Sequence, residues 1–306
     1  MEKGLRHGTF SSKVNKIVYI LDGEKAECAY SLRKLRSAYT GPCLRVRRVS
    51  DGATKDIFFK SMRSFGSDEY CLYFNWEDAL NFAGTSLLSV HTWYDQSGNG
   101  LNLSNTSSAL FPPLTKVRLL NQSDQRFMPF FAHGKTGNII PISPKTQVRL
   151  FNSSISVTQP FVAYGCGNLV DIDSGAAVFF DSYNNTQCIF YFTGNLESPN
   201  HTFYMGAGSA FGGTKKRGVL NFAAVYNGAS SGFRMNGDTG GSGNAGTNSL
   251  SGLSLFHLRG NPNPIVTTYG WWGGIAEFII LKGREINIRL ELNHKKFYKT
   301  GTTLEY

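Results

Sequence analysis

Residues 219–237, VLNFAAVYNGASSGFRMNG, hold two short apolar runs, 219–226 and 232–235, on either side of a stretch rich in Gly, Ser and Asn. Apolar runs of this length between turn residues predict β-strands joined by tight connections. Runs of the same kind occur at 161–164, 176–180, 188–192, 253–258 and 275–281. Many short strands between turn signals are typical of an all-β sandwich. We therefore predict a mainly β fold, a two-sheet antiparallel jelly-roll sandwich.

The rest of the chain gives no sign of a second domain. All-β sandwiches often run to about 200–250 residues as one unit, so 306 residues are compatible with a single sandwich. Residues 1–18 lack periodicity and are expected to form an arm ahead of the sandwich domain, 19–306. Residues 238–248 are rich in Gly, Ser and Asn and predict a flexible loop.

Three helices are predicted outside the strand pattern. A short N-terminal helix is predicted because apolar residues recur at i, i+4, i+7 and i+11, at Cys28, Leu32, Leu35 and Tyr39. A second is predicted to start at Asn75 as N-cap and to end at Gly84. A C-terminal helix is favoured by two charge pairs at i, i+4, Glu285 with Arg289 and Glu291 with Lys295.

Charge and apolar content restrict the partners. The net charge is +10, but the basic residues form two clusters, one in the first fifth of the chain and one near its end, without a nucleic-acid motif. We interpret both as solvated faces, with a weak anionic partner left open. No run of about 18 apolar residues occurs, so we expect neither nucleic-acid binding nor membrane insertion.

The cysteines and the N-terminus bear on the compartment. Five cysteines, an odd number, show neither a Cys-x-x-Cys pair nor histidines at zinc spacing, so free buried thiols are expected. The apolar stretch 17–21 is too short for a signal-peptide core. Together these features favour synthesis in a reducing cytoplasm.

The first candidate site is the segment WYDQSGNG, 93–100, an aromatic strand end that runs into a polar turn. An exposed indole at Trp93 would stack on a sugar ring, and Asp95 and Asn99 would donate or accept hydrogen bonds beside it. The alternative is structural: Asp95 and Asn99 would bond backbone groups and hold the turn.

A second candidate ligand-binding cluster consists of Tyr269, Trp271 and Trp272. Adjacent residues of a strand point to opposite faces, so one of the two tryptophans is either exposed or covered by a loop or a partner. The exposed ring would be a contact residue. A loop covering it is the structural alternative.

Catalytic and metal motifs are weak. Asp171, Asp173 and Asp181 lie close together in sequence, but acidic residues beside Gly and Ser are commonly turn formers. No complete calcium loop is present, so we expect no cofactor and leave only a structural calcium ion open. Nucleophile motifs of the Gly-x-Ser-x-Gly type are absent.

Two stretches together resemble a known family. Residues 29–57, AYSLRKLRSAYTGPCLRVRRVSDGATKDI, and 93–100 are similar to signatures shared by the catalytic domain of the alpha-L-arabinofuranosidase B family and by a set of bacteriophage virion proteins. From about residue 150 the chain resembles laminin G-like, concanavalin A-like modules, on residues 219–228, 233–237, 253–260 and 273–281. The resemblance implies a concanavalin A-like sandwich.

The same resemblance implies where catalytic groups would stand. The enzymes use a glutamate nucleophile on a core strand, which corresponds to Ala176 or Ala177 here, and an aspartate acid/base in a turn, which corresponds to Gly260 or Asn261. Their vicinal cysteine pair is reduced to Cys166. The resemblance thus implies a scaffold without its catalytic carboxylates.

We therefore predict a non-catalytic phage structural or attachment protein of a tail fibre, tail tip or capsid surface. It would sit on the virion surface, assemble in the host cytoplasm, and bind host-surface glycan or neighbouring virion proteins. A homo-oligomer is expected, a trimer if the particle part is a fibre. The alternatives are an arabinofuranosidase-type glycoside hydrolase and a purely architectural module whose arm locks copies together.

Overall fold

The computed structural model describes residues 17–63, 70–108, 111–114, 130–131, 148–169, 175–184, 187–194, 200–216, 218–255 and 273–298. Its strands, in chain order, are β1 (Ala26–Ser31), β2 (Leu44–Arg48), β3 (Thr54–Ile57), β4 (Phe59–Arg63), β5 (Tyr70–Phe74), β6 (Leu88–Trp93), β7 (Leu103–Ser104), β8 (Pro113–Leu114), β9 (Phe130–Phe131), β10 (Leu150–Val157), β11 (Phe161–Leu169), β12 (Gly175–Asp181), β13 (Ile189–Gly194), β14 (Asn200–Gly206), β15 (Ala210–Lys216), β16 (Gly218–Tyr226), β17 (Ser231–Met235), β18 (Asp238–Gly243), β19 (Leu250–Leu255) and β20 (Gly273–Lys282). Helix α1 is Trp76–Ala83 and helix α2 is Ile288–Tyr298.

Two antiparallel sheets form the body of the fold. The smaller sheet has the order β1-β20-β11-β16-β17-β18, with β9 also paired to β20. The larger has the order β15-β14-β13-β12-β19-β10-β7-β6-β2-β3, with β8 also paired to β6. Strands β4 and β5 form a separate hairpin. The predicted mainly β sandwich is confirmed at this level, and the jelly-roll connectivity stays a prediction.

The core between the sheets is built of aromatic rings. Phe190 of the larger sheet stacks on Phe222 of the smaller one with 4.1 Å between ring centroids. Phe180 of the larger sheet contacts Phe278 of the smaller one in a tilted arrangement, with 5.0 Å between ring centroids. Each fully buried side chain of this size contributes about 1.5–3 kcal/mol relative to an exposed one. These rings hold the two sheets face to face.

A second, smaller core covers the other face of the smaller sheet. Leu290 of α2 and the segment with Leu21 and Leu35 pack against residues of β11, β16 and β20, among them Val162 and Ile279. The central strands of this sheet are therefore buried on both faces. This explains why their sequences are continuously apolar instead of alternating.

A buried ion pair anchors α2 to the sheet. The Arg33 guanidinium donates to both carboxylate oxygens of Glu277 on β20, each at 2.8 Å. Tyr298 donates to the same carboxylate at 3.0 Å, and Arg33 also reaches Asn293. The guanidinium lies 4.3 Å from the Phe297 ring centroid. Three of these partners belong to α2, so the pair joins the helix to β20 and to the loop after β1.

The outermost strands of the two sheets meet along one side of the sandwich. A Cβ atom added to Gly213 of β15 would lie 2.1 Å from the carbonyl oxygen of Gly240 of β18. That separation is far below any van der Waals contact, so the two backbones approach each other where neither residue has a side chain. Glycine is required here by close approach.

Two sequence predictions are wrong. Residues 28–39 do not form a helix, because Cys28 lies on β1 and the chain continues into a loop. Ala29, Tyr30 and Ser31, which a helix would have turned toward solvent, are buried because β1 is covered on both faces. Residues 238–248 are not all loop, since 238–243 form β18, paired to β17.

The other two helix predictions are confirmed. Asn75 caps α1, and its side chain accepts a hydrogen bond from the Asp78 amide at 3.2 Å. The C-terminal helix is confirmed as α2, which contains Glu291 and Lys295 but begins at Ile288, after Glu285, and Arg289 pairs with Glu24 instead. All five cysteines are free and buried, as expected. No helix in the described ranges is long and apolar enough to cross a membrane.

Candidate functional site

The structure places Trp93 in the core, not on the surface. Its side chain is 0% exposed and its ring lies 6.1 Å from that of Tyr30. It ends β6 on the inward face, opposite Leu44 of β2 and Leu103 of β7. Stacking on a sugar requires an exposed ring face, which this side chain does not offer, so the proposed stacking role for Trp93 is corrected.

Asp95 is buried and holds the turn together. Its carboxylate accepts hydrogen bonds from the amides of Ala29 at 2.9 Å, Ser97 at 2.9 Å and Leu101 at 3.0 Å. The Ser97 hydroxyl also donates to it at 2.6 Å. A carboxylate with four donors has no free capacity for a ligand. The structural alternative stated for Asp95 is what the structure shows.

Asn99 and Gln96 complete the same arrangement. The Asn99 amide nitrogen donates to the carbonyls of Ala26 and Glu27 at 3.1 and 2.9 Å, and the Gln96 backbone amide donates to the Ala29 carbonyl at 2.7 Å. These bonds satisfy the edge of β1 that faces away from β20. The 93–100 segment therefore closes a sheet edge.

Several other predicted residues lie outside the described part of the chain. These are Tyr269, Trp271, Trp272, Gly260, Asn261, Asp171 and Asp173. Ala176 and Ala177 lie on β12, where Ala176 is opposite Thr193 and Ala177 is opposite Phe192. In the described ranges no three His, Cys, Asp or Glu side chains group to hold a metal ion, and the structural calcium ion stays a prediction.

The outward face of the larger sheet carries a continuous row of polar and aromatic residues. Paired positions share a face, and the register links one residue from each of seven neighbouring strands. In order from β3 to β12 they are Asp56, Arg45, Thr92, Ser104, Phe151, Ser254 and Asp181. We call this side of the larger sheet the outer face; Thr92, Ser254 and Asp181 on it are buried, and the other four residues are partly exposed.

An aromatic pair lies in the middle of the outer face. The rings of Phe151 and Tyr183 stack with 4.3 Å between centroids and 3° between planes, and both are half-buried. Tyr183 follows β12 and reaches Phe151 across β19. Gly252 of β19 permits this, because a Cβ atom there would lie 2.6 Å from that of Tyr183.

A second aromatic pair lies on the same face. Tyr191 of β13 and Tyr204 of β14 are direct cross-strand partners, and their rings stack with 5.0 Å between centroids. Both are half-buried. On the other side of Tyr191, its cross-strand partner is Val178 of β12, whose side chain lies on the outward side of the sheet. The outer face thus presents two partly exposed aromatic pairs.

The end of the outer face near β3 is polar. Arg45 donates to both oxygens of Asp56 at 2.8 and 2.9 Å, and the Tyr94 hydroxyl donates to Asp56 at 2.7 Å. The Arg45 hydrogen bonds hold the pKa of Asp56 below its usual range. Partial burial, followed by the Asp56 hydrogen bond, raises the pKa of Tyr94 to about 12. This cluster is a satisfied ionic network at neutral pH.

Several described carboxylates are engaged in structure. Asp181 accepts the backbone amides of Ser182 and Cys188 at 2.8 and 3.3 Å, and Glu291 accepts both bonds from the Arg234 Nε. Among described carboxylates whose pKa departs from its ordinary value, the departure is always downward, as at Asp51, Asp56 and Glu277. None of these three would serve as the protonated acid that glycosidic cleavage needs.

Sequence reasoning missed the residues of both aromatic pairs. Phe151 and Tyr183 are 32 positions apart and lie next to β19, which comes later in the chain. Only the pairing of β10, β12 and β19 brings them together. The sequence contained one usable signal, the outward alternation of Phe151 against Leu150.

Comparison with known proteins gives a fold and no family. No family model matches the chain, and no curated protein matches it. An arabinofuranosidase complexed with arabinofuranosyl-alpha-1,2-xylobiose has a similar structure, with a TM-score of 0.64 and 13% identity over 94% of this chain. A GH54 α-L-arabinofuranosidase soaked with a cyclic sulfate inhibitor aligns with a TM-score of 0.59 and 13% identity, again over 94% of this chain. The chain spans 65% of the length of each of these proteins.

Proposed function

We propose that this protein is a non-catalytic attachment module that binds glycan through the outer face of its larger sheet. The observation that carries the proposal is the partly exposed stack of Phe151 and Tyr183, held by β10 and the end of β12 at the centre of that face. Aromatic rings with polar neighbours are the usual platform for a sugar, whose C–H groups pack on the ring while its hydroxyls hydrogen-bond beside it.

Hydrogen-bonding groups surround this platform. Asn184, next to Tyr183, donates to the Ser153 carbonyl at 3.0 Å and to the Ser251 hydroxyl at 3.3 Å. Asn152, next to Phe151, accepts the Ser154 amide at 2.8 Å and donates to the Asn102 carbonyl. These bonds fix the amide orientations before any ligand arrives, which lowers the entropy cost of binding.

A catalytic role is disfavoured on two grounds. The resemblance places alanine where the enzymes carry their nucleophile, at Ala176 or Ala177 of β12. The carboxylates of the outer face, Asp56 and Asp181, are occupied by an arginine and a tyrosine or by backbone amides. We therefore propose binding without hydrolysis.

The proposed setting is the surface of a bacteriophage virion. Its support is the resemblance of residues 29–57 and 93–100 to virion proteins. In that setting the outer face would meet host-surface polysaccharide, and further copies or other virion proteins would be the remaining partners. A jelly-roll connectivity belongs to the same proposal.

The test is glycan binding by matched variants. Wild-type protein is screened on a glycan array, and hits are measured by titration calorimetry. Phe151→Ala and Tyr183→Ala are each expected to weaken binding about tenfold or more, as loss of an aromatic anchor does at other interfaces. Leu292→Ala is the control, because Leu292 is 57% exposed on α2, on the opposite side of the molecule.

Two outcomes would contradict the proposal. Absence of binding to any glycan or host cell would remove the attachment role and favour the purely architectural module. Equal affinity of wild-type protein, Phe151→Ala and Tyr183→Ala would show that a glycan binds elsewhere. Thermal midpoints of the variants, measured in parallel, separate loss of a contact from loss of the fold.

The alternative function is hydrolysis of arabinofuranosides. It is favoured by one observation, the structural similarity to arabinofuranosidases over 94% of the chain. We expect no release of 4-nitrophenol from 4-nitrophenyl α-L-arabinofuranoside. Release that a single Asp or Glu substitution abolishes would establish the enzyme and overturn the non-catalytic proposal.

A further inference from the structure

We propose that Arg149 makes the outer face selective for acidic sugars, in which a carboxylate or sulfate group stands on the ring that packs against Phe151 and Tyr183. This inference rests on the proposed function, since it names the class of glycan. The ligand group is defined by its chemistry, a planar or tetrahedral anion with at least two acceptor oxygens.

Arg149 lies beside the aromatic pair. It is two residues before Phe151, so both side chains leave the backbone on the outward side of β10. Its guanidinium carbon lies 5.4 Å from the Phe151 ring centroid and 5.9 Å from that of Tyr183. Because the two rings are themselves 4.3 Å apart, nearly equal distances place the guanidinium at the shared edge of the stack. The outer ring faces are not covered by it.

Arg149, like Arg36, Arg47 and Arg284, lacks the carboxylate partner that five other arginines of the described part of the chain have. Arg33, Arg45, Arg48, Arg234 and Arg289 each pair with a carboxylate. Arg149 has no carboxylate or carbonyl acceptor there, and its Nε is buried without a hydrogen-bond partner. A buried donor left unpaired is costly, roughly 1–3 kcal/mol, and more for a charged group. An acceptor from a ligand would remove that cost.

A second unpaired polar atom lies next to the same ring. Ser254 is directly opposite Phe151 in the register of β10 and β19. Its hydroxyl is buried and has no partner in the described ranges. Thus one unsatisfied donor lies two residues before Phe151, just ahead of β10, and another faces it from the neighbouring strand. Buried polar atoms without partners are rare in folded proteins, and their occurrence around one aromatic pair points to a ligand.

The rest of the face suits an anion. The nearest described acidic side chain in the same cross-strand row is Asp181, which is fully buried and bonded to backbone amides. Asp56 at the far end is neutralised by Arg45. With a net charge of +10 the whole chain attracts polyanions over long range. Arg149 is then the group that converts this general attraction into a fixed contact.

The experiment compares three probes on the protein as it exists. The first is an oligosaccharide of galacturonic acid, and the second is its methyl ester. The third is an oligosaccharide of the same length that has no carboxylate but carries sulfate esters. Wild-type protein is expected to bind the acid or the sulfated probe at least tenfold more tightly than the methyl ester. Preference between the first and third probes tells whether carboxylate or sulfate is the anion.

The variants assign the preference to Arg149. Arg149→Gln is expected to lower affinity for the acidic probe about tenfold or more and to leave affinity for the methyl ester unchanged, because one charge-assisted bond pair is lost. Arg149→Lys keeps the charge without the fork of donors and is expected to lie between them. Arg284→Gln is the control. Arg284 is an exposed residue that follows β20, so this substitution removes the same charge away from the outer face.

The outcomes separate this inference from the proposed function. Binding that needs Phe151 and Tyr183 but is equal for acid and methyl ester overturns the acidic class and keeps the glycan platform. An equal loss in Arg149→Gln and Arg284→Gln shows only general electrostatic attraction and also overturns it. Failure of all three probes and of the glycan array overturns both.

Discussion

At the scale of single residues, Glu277 is the most constrained ionisable group of the described chain. It is fully buried, and its carboxylate faces Arg33, Ser31, Tyr298 and the His294 imidazole. Burial by itself raises the pKa of Glu277, but the charges and hydrogen bonds of Arg33 and His294 outweigh it and hold that pKa well below its usual range. The group stays ionised wherever the fold exists.

Replacing Glu277 tests how much this pair contributes to stability. Glu277→Gln is expected to destabilise the protein by about 3–5 kcal/mol, because it leaves the Arg33 guanidinium buried without an anion. The measurement is denaturant unfolding at neutral pH. Glu77→Gln is the control, because its pair with Lys60 is mostly exposed, and little change is expected there.

The pH dependence follows from the same pKa. A folded-state pKa below the unfolded value of about 4.3 means that the stabilisation is complete above that pH and is lost progressively as the pH falls below it. Wild-type protein should therefore lose stability between neutral pH and pH 3 more steeply than Glu277→Gln. Parallel curves for the two proteins would contradict the assignment.

At the scale of elements, β1 shows how a distant turn can define a strand. Its inner edge pairs with β20, and its outer edge is bonded by the 93–100 segment through Asp95, Gln96 and Asn99. The loop after β1 is held in the same way, since the Gln96 side chain accepts the Leu35 amide at 2.8 Å. The segment that seemed ligand-binding from its composition is a structural clamp.

Removing the clamp should loosen β1 before it unfolds the sandwich. Asp95→Ala deletes four hydrogen bonds, three from backbone amides and one from the Ser97 hydroxyl, and is expected to cost about 2–4 kcal/mol. Amide hydrogen exchange should accelerate first at Ala29 and its neighbours. Asp51→Ala is the control, because Asp51 bonds the Arg48 side chain and the Ala53 amide within one exposed turn and does not touch β1.

Elements whose conformation is determined by neighbouring residues were predictable from the sequence, and elements determined by contacts with distant parts of the chain were not. Helix α1 was predictable because its N-cap Asn75 and its first-turn acids lie within the helix itself. The first helix was wrongly predicted because Cys28, Leu32 and Leu35 fit its period while two-sided burial of β1 left no polar face to contradict it. The sequence DTGGSG of β18 predicts a loop because it shows no alternation of apolar and polar side chains. It forms a strand because its backbone pairs with β17.

The candidate site was less predictable than the fold. The aromatic pair Phe151 and Tyr183 arises from the order of three strands, and Arg149 is notable only for the partner it does not have. No local sequence motif indicates either the stacking of these two rings or the missing partner of Arg149. The predicted cluster of Tyr269, Trp271 and Trp272 lies outside the described residues and stays a prediction.

At the scale of the whole molecule, the five buried cysteines report on cooperativity. Cys28 and Cys166 lie in the smaller sheet, Cys71 in the β4–β5 hairpin, and Cys43 and Cys188 next to strands of the larger sheet. Burial raises the pKa of each thiol, to about 11 for Cys71, so the native protein should react slowly with thiol reagents.

Labelling during unfolding tests the prediction of one domain over 19–306. If the chain unfolds as a single unit, all five cysteines should become reactive at the same denaturant concentration, as followed by mass spectrometry of labelled peptides. The reference is the native protein, whose intact mass should show no added label at short reaction times. Two groups of cysteines with different midpoints would divide the chain.

The contact between Gly213 and Gly240 has a consequence for how the protein behaves at high concentration. An open sheet edge is a template for strand exchange and fibrillar growth. Here β15 and β18 lie too close for another backbone to enter between them, and the outer edge of β1 is already bonded by the 93–100 segment. Strand exchange between crowded copies is therefore blocked at these two edges and would have to start at another one, such as β3 at the far end of the larger sheet.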